Sequence, residues 1–148
     1  MKILATNRRA RFEYEFLERF TAGIALTGSE VKSVRAGRLN LQDGWVAFDG
    51  GRAFLADVHI SPYENAGYAG HDPLRRRPLL LHKRDIVKLA ATVAEKGLTV
   101  VPLAVGVEGN WIKVELALAR GKKLHDKRET IRRRILDREA EAALKHRR

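Results

Sequence analysis

No cysteine occurs in this chain, which excludes a disulfide framework and any thiolate metal site. No apolar run approaches the ~20 residues of a membrane-spanning helix. Residues 1–16 hold no apolar stretch of signal-peptide length, so the expectation is a soluble, cytoplasmic protein. The histidines, at 59, 71, 82, 125 and 146, form neither an HxxH nor an HExxH pair. No carboxylate cluster completes a metal triad, and no metal or cofactor is expected. Catalytic patterns are also missing: there is no GxSxG, and no glycine-rich phosphate loop ending in Lys-Ser or Lys-Thr. The reading is a protein that is not an enzyme.

Positive charge is abundant, and it is unevenly placed. Of the net charge of +11, residues 120–148 carry +7, from twelve Lys/Arg against five Asp/Glu. Residues 1–119 carry +4. A strongly basic arm on a mildly basic body seeks phosphate, because neutralising a nucleic-acid backbone releases condensed counterions. A pI near 10.4 also suits an anionic membrane surface, which stands as the alternative destination of the arm.

The body, residues 1–119, reads as one domain. Tyr14, Phe16 and Phe20 share a parity over residues 12–20, as in a half-buried strand, and apolar residues 23–26 continue it. Ser29 is placed to cap a short helix that ends at Ala36-Gly37. A hairpin follows, with residues 45–48 and 53–60 around Asp49-Gly50-Gly51. Residues 61–78 form a long loop. Residues 85–96 read as a helix with Ile86, Leu89, Ala90 and Val93 on one face and Gly97 beyond its end. A second hairpin joins 98–107 to 111–119. Short strands with few helices predict a mainly β fold, an antiparallel barrel with peripheral helices. Residues 120–148 form a separate basic tail. Its sparse apolar stripe, Ile131, Ile135, Leu136, Ala140, Ala143 and Leu144, buries too little to hold a lone helix, so the tail is expected to be disordered when free and to fold on a partner.

Three body segments carry candidate contacts. Asn7-Arg8-Arg9-Ala10-Arg11 concentrates guanidiniums suited to bidentate phosphate contact. In residues 28–37, Val31 and Val34 face the barrel, Lys32 and Arg35 point outward, and Glu30 orients a guanidinium or complements the helix N-terminus. Arg75-Arg76-Arg77 reads as a phosphate clamp, with Tyr63, Tyr68 and His71 nearby as stacking candidates. A solvated loop is the plainer reading for the tyrosines.

These segments together resemble the small protein B family, which binds transfer-messenger RNA (tmRNA, or SsrA RNA). The motifs are 7–11, 22–26, 28–37, Ile60-Ser61-Pro62-Tyr63, Asp72-Pro73, Leu79-Leu80-Leu81 and Ala119-Arg120-Gly121-Lys122-Lys123-Leu124-His125-Asp126-Lys127-Arg128. Their order and spacing span nearly the whole chain. The resemblance implies an OB-like barrel that binds the tRNA-like domain of tmRNA. Delivered with elongation factor Tu, the complex enters stalled ribosomes with an empty A site. There the protein stands in for the codon–anticodon pair at the small-subunit decoding centre, and its tail becomes a helix in the vacant mRNA channel. The implied RNA contacts are Asn7, Arg8, Arg9, Glu30, Lys32, Arg35 and Leu80. The implied ribosome-facing residues are Gly121, Lys122, Lys123, His125, Asp126, Lys127 and Arg128. Phe12 stands where the family commonly has His, and Thr21 where Glu commonly precedes Ala-Gly, so those two polar contacts do not carry over. A generic barrel-type RNA-binding or ribosomal protein is the rival reading.

Overall fold

The structure is a computed structural model that describes residues 1–62 and 71–121. Its elements run β1 (Lys2–Thr6), α1 (Ala10–Glu13), β2 (Tyr14–Ile24), α2 (Gly28–Arg35), β3 (Leu39–Asn40), β4 (Trp45–Asp49), β5 (Arg52–Ala56), β6 (His59–Ile60), β7 (Arg77–Leu80), α3 (Lys83–Lys96), β8 (Thr99–Glu108) and β9 (Trp111–Gly121). Seven strands form one antiparallel sheet in the order β1-β8-β9-β2-β7-β5-β4, while β3 pairs with β6. The sheet curls until β4 comes to lie beside β8. The expected mainly β, OB-like barrel with helices at its periphery is the architecture formed.

Inside the curl, alternate residues of β8 and β9 (Val100, Val105, Val114, Leu116, Leu118) meet Val46, Leu55 and Val58 from the opposite wall. Burying each such side chain contributes roughly 1.5–3 kcal/mol. Val34 of α2 and Ile86 of α3 reach this core from outside the sheet. Val31 is half-buried beside Val34. Helix α3 begins two residues before the sequence reading placed it, and Gly97 ends it in the left-handed region at φ 61°.

Where the curled sheet meets itself, side-chain volume has been removed and polar bonds added. A Cβ at Gly44 would stand 2.6 Å from Val58 Cγ2 and 2.8 Å from Pro102 Cγ. Asn7 Nδ2 donates to the carbonyls of Pro102 (2.9 Å) and Leu41 (3.2 Å), and its Oδ1 accepts from the Ala10 N–H. The Asn7 backbone N–H donates to the Leu103 carbonyl at 2.7 Å. One residue thus joins the end of β1, the loop before β4, and β8.

Several local readings need correction. Tyr14, Phe16 and Phe20 do not share a face: a bulge between Phe16 and Glu18 shifts the register, and an extra residue reverses the alternation. Phe16 and Tyr14 cover Val101, Ala117 and Ala119 on the outer face, whereas Phe20 points into the barrel. Residues 12 and 13 belong to α1. The single strand read over 53–60 is broken at Asp57, whose φ is 56°, leaving β5 and β6 with different partners. Strand β1 escaped the sequence reading altogether.

Candidate nucleic-acid interface

Helix α2 is opened by Thr27 rather than by Ser29. Thr27 Oγ1 accepts from the Glu30 N–H at 3.3 Å, and Glu30 Oε1 accepts from the Thr27 N–H at 2.8 Å, a reciprocal capping box. Ser29 lies inside the first turn, its hydroxyl 2.6 Å from His71 Nδ1. His71 Nε2 is 2.8 Å from the Ile60 carbonyl oxygen. A carbonyl only accepts, so Nε2 donates to Ile60; in a neutral ring Nδ1 then accepts from the Ser29 hydroxyl.

The Glu30 carboxylate is fully buried and gathers two arginines. Arg77 Nε donates to Oε2 at 2.7 Å, and Arg75 Nη2 donates to Oε1 at 2.6 Å. Burial alone would raise the Glu30 pKa; the hydrogen bonds from Arg75, the Thr27 backbone and Arg77, with the Arg77 charge, outweigh it and lower the value from 4.5 to about 2. Arg77 spends its other N–H groups on the carbonyls of Val58, Asp72 and Pro73. It has no solvent exposure, so its reading as part of a phosphate clamp is corrected: Arg77 is an interior strut.

Two other expected RNA contacts are also interior. Asn7 is 8% exposed and its amide is committed to the seam, while Glu30 is committed to Arg75 and Arg77. Neither side chain is presented to a partner. Asn7 holds the entry to α1, and with it Arg8 and Arg9. Glu30 ties residues 71–77 to the helix bearing Lys32 and Arg35. The Thr27-x-x-Glu30 spacing signalled the capping box, but no local spacing signalled the inward turn of Asn7.

Arg8, Arg9, Lys32 and Arg35 are all exposed, and Arg9 forms a pair with Glu13 at 3.2 Å. Lys32 and Arg35 stand together on α2. The chain leaving α2 passes the strand that leads to Arg8 and Arg9: a Cβ at Gly37 would stand 3.7 Å from the Leu4 carbonyl of β1, and Asn7 is bonded to the Leu41 carbonyl. Leu80 is 58% exposed on the outer face of β7 and pairs with Gly23. It lies over the place where a Gly23 side chain would stand, 3.2 Å from its Cδ1. Near α1, Arg8, Arg11, Phe12, Phe16 and Arg19 line a groove of about 530 Å³. The Arg19 guanidinium lies 5.3 Å from the Phe16 ring centroid.

Sequence reading also missed a surface cluster at the end of β4. The Trp45 indole Nε1 donates to Asp57 Oδ2 at 2.7 Å, and the Arg76 guanidinium lies over the ring at 5.9 Å. These three residues are scattered in sequence, and only the strand pairing unites them.

Gly121 closes β9 opposite Tyr14, with Arg120 opposite Glu15, so the sheet runs two residues past Ala119. Lys122, Lys123, His125, Asp126, Lys127 and Arg128 lie outside the described residues, as do Tyr63, Tyr68 and the expected order of the tail. Among the described residues, no group of three or more His, Cys, Asp or Glu is arranged to hold a metal ion. No helix among them is long and apolar enough to cross a membrane.

The comparisons with known proteins agree with one another. The family model described as SmpB protein matches residues 4–146. The SsrA-binding protein of Gloeothece citriformis is 55% identical over 145 residues, covering 97% of this chain and 94% of that protein. The SsrA-binding protein of Solidesulfovibrio magneticus is 55% identical over 139 residues, covering 94% and 90%. A chain from a solved structure of tmRNA-SmpB at the center of the bacterial ribosome is 46% identical, with a TM-score of 0.68 over 87% of this chain and 94% of that one. With the barrel and nearly the full length matched, the chain belongs to the SmpB protein family.

Proposed function

We propose that this protein binds the tRNA-like domain of tmRNA and carries it to ribosomes stalled with an empty A site. It works there as an adaptor without catalysis, standing in for the codon–anticodon part of a tRNA. Elongation factor Tu accompanies the charged complex in the cytoplasm. The basic segment 122–148 enters the vacant mRNA channel, where dense ribosomal phosphates offset the cost of ordering it. The observation that carries the reading is 55% identity over 97% of the chain to a protein named for binding SsrA RNA. Exposed Arg8 and Arg9 in the turn before α1, and Lys32 and Arg35 on α2, with Leu80 uncovered on the sheet, support a surface suited to folded RNA.

The test is removal of residues 122–148, a cut that spares the pairing of Gly121 with Tyr14. The expected result is retained tmRNA binding with loss of peptide tagging on stalled ribosomes. Lys122→Ala with Lys123→Ala should divide the two activities in the same way. A truncated protein that loses RNA affinity and salt dependence together would make the tail a plain electrostatic anchor.

A further inference from the structure

Trp45 opens β4 at the margin of the sheet, and its ring is 38% exposed. An exposed indole ordinarily samples several rotamers, but this one is held at two points. Its N–H is bonded to Asp57, which adopts a left-handed φ of 56°, a conformation more accessible to Asp than to most residues. The Arg76 guanidinium lies over one face of the ring, 5.9 Å from its centroid. Strand register explains the reach. Trp45 pairs with Ala56, and Leu55 pairs with Arg77, so Arg76 falls level with Ala56. The short Ala56 side chain, itself buried, leaves the space that Arg76 crosses.

The neighbours of Arg76 sharpen the point. Arg75 and Arg77 both grip Glu30, while Arg76 between them is exposed and placed against an aromatic ring. The guanidinium is planar and weakly hydrated, stacks on rings, and pairs with phosphate. Tryptophan offers a wide face to an unstacked base. Alternation along β7 puts Arg76, Pro78 and Leu80 on one face of the sheet. Four residues at strand rise place Leu80 about 13 Å from Arg76.

The geometry points to Trp45 and Arg76 as a stacking platform for one unstacked RNA base, with Arg76 meeting the adjoining phosphate. The inference rests on the proposed function and adds a contact to the same surface. The base belongs either to the tRNA-like domain or to ribosomal RNA, and the chemistry of recognition is shared.

The experiment uses Trp111→Phe, which leaves Trp45 as the sole tryptophan; Trp111 is 70% exposed at the β8–β9 turn. One arm titrates tRNA-like domain RNA, and the other titrates purified small ribosomal subunits. Quenching of Trp45 emission is expected in the arm that supplies the base. In that arm Trp45→Ala should weaken binding about tenfold, and Trp45→Phe should keep most of the affinity. Arg76→Ala should lower the salt slope by about one. Normal binding in both arms with unchanged Trp45 emission would overturn the platform and leave the proposed function standing. Failure of both RNAs to bind would overturn both.

Discussion

Glu30 and Arg77 form an ion pair 2.7 Å long in which neither side chain has any solvent exposure. Removing one partner strands a buried charge, at a cost of about 3–5 kcal/mol. Glu30→Ala should therefore unfold at markedly lower denaturant concentration than the parent. The pair also sets an acid limit. The folded-state pKa of about 2 lies below the ordinary 4.5, so the stabilisation is complete above pH 4.5 and is lost as pH falls toward 2. Between those limits the parent should lose on the order of 3 kcal/mol more stability than Glu30→Gln. Urea melts at a series of pH values measure the difference, and parallel losses would show that Glu30 does not govern acid sensitivity.

Asn7 and its neighbours should fail in different ways. Asn7→Ala leaves the carbonyls of Leu41 and Pro102 without their donor, costing about 2–3 kcal/mol. At low temperature, where it remains folded, its RNA affinity should fall only through the loosened placement of Arg8 and Arg9, and by no more than the double variant Arg8→Ala with Arg9→Ala loses. Arg8→Ala and Arg9→Ala should leave the melting temperature almost unchanged, weaken RNA binding, and each reduce the salt slope by about one. A loss of affinity beyond that of the double variant, with normal folding, would make Asn7 a direct contact after all.

Leu80 should matter to binding more than to folding. At 58% exposure it contributes little to the core, so Leu80→Ala should change stability by about 0.5 kcal/mol or less while lowering RNA affinity. Gly23→Ala should act through the same side chain, because the new methyl would crowd Leu80 Cδ1. Affinity measured beside thermal melts checks both variants.

Ser33 is fully buried in α2, and its hydroxyl has no hydrogen-bond partner among the described residues. An unpartnered buried hydroxyl carries its desolvation cost without return. Ser33→Ala should raise stability by about 1 kcal/mol, aided by the better helix propensity of alanine. A lower melting temperature would show that the hydroxyl is bonded after all.

Much of the barrel was legible because β8, β9 and α3 are long and strongly patterned, and Gly97 and the β8–β9 turn mark their ends. Legibility ended where pairing is distant or periodicity is interrupted. The bulge at Leu17 reversed the apparent faces of Phe16 and Phe20, and the left-handed Asp57 split an apparently continuous strand. Charge alone could not separate Arg76, which stays at the surface, from Arg77, which is sealed inside. That distinction depends on Glu30, forty-seven positions earlier, and on which side of β7 each residue occupies.

The pairing of β1 with β8 has a consequence for biosynthesis. Lys2 meets Val107 and Thr6 meets Ala104, so the first strand made must wait for nearly the last one before it can dock. Until then the apolar stretch Ile3-Leu4-Ala5 has no ladder to join, and the emerging chain carries an unsatisfied sticky end. The barrel therefore closes late, and a chain truncated before residue 104 leaves its own N-terminus with nowhere to go.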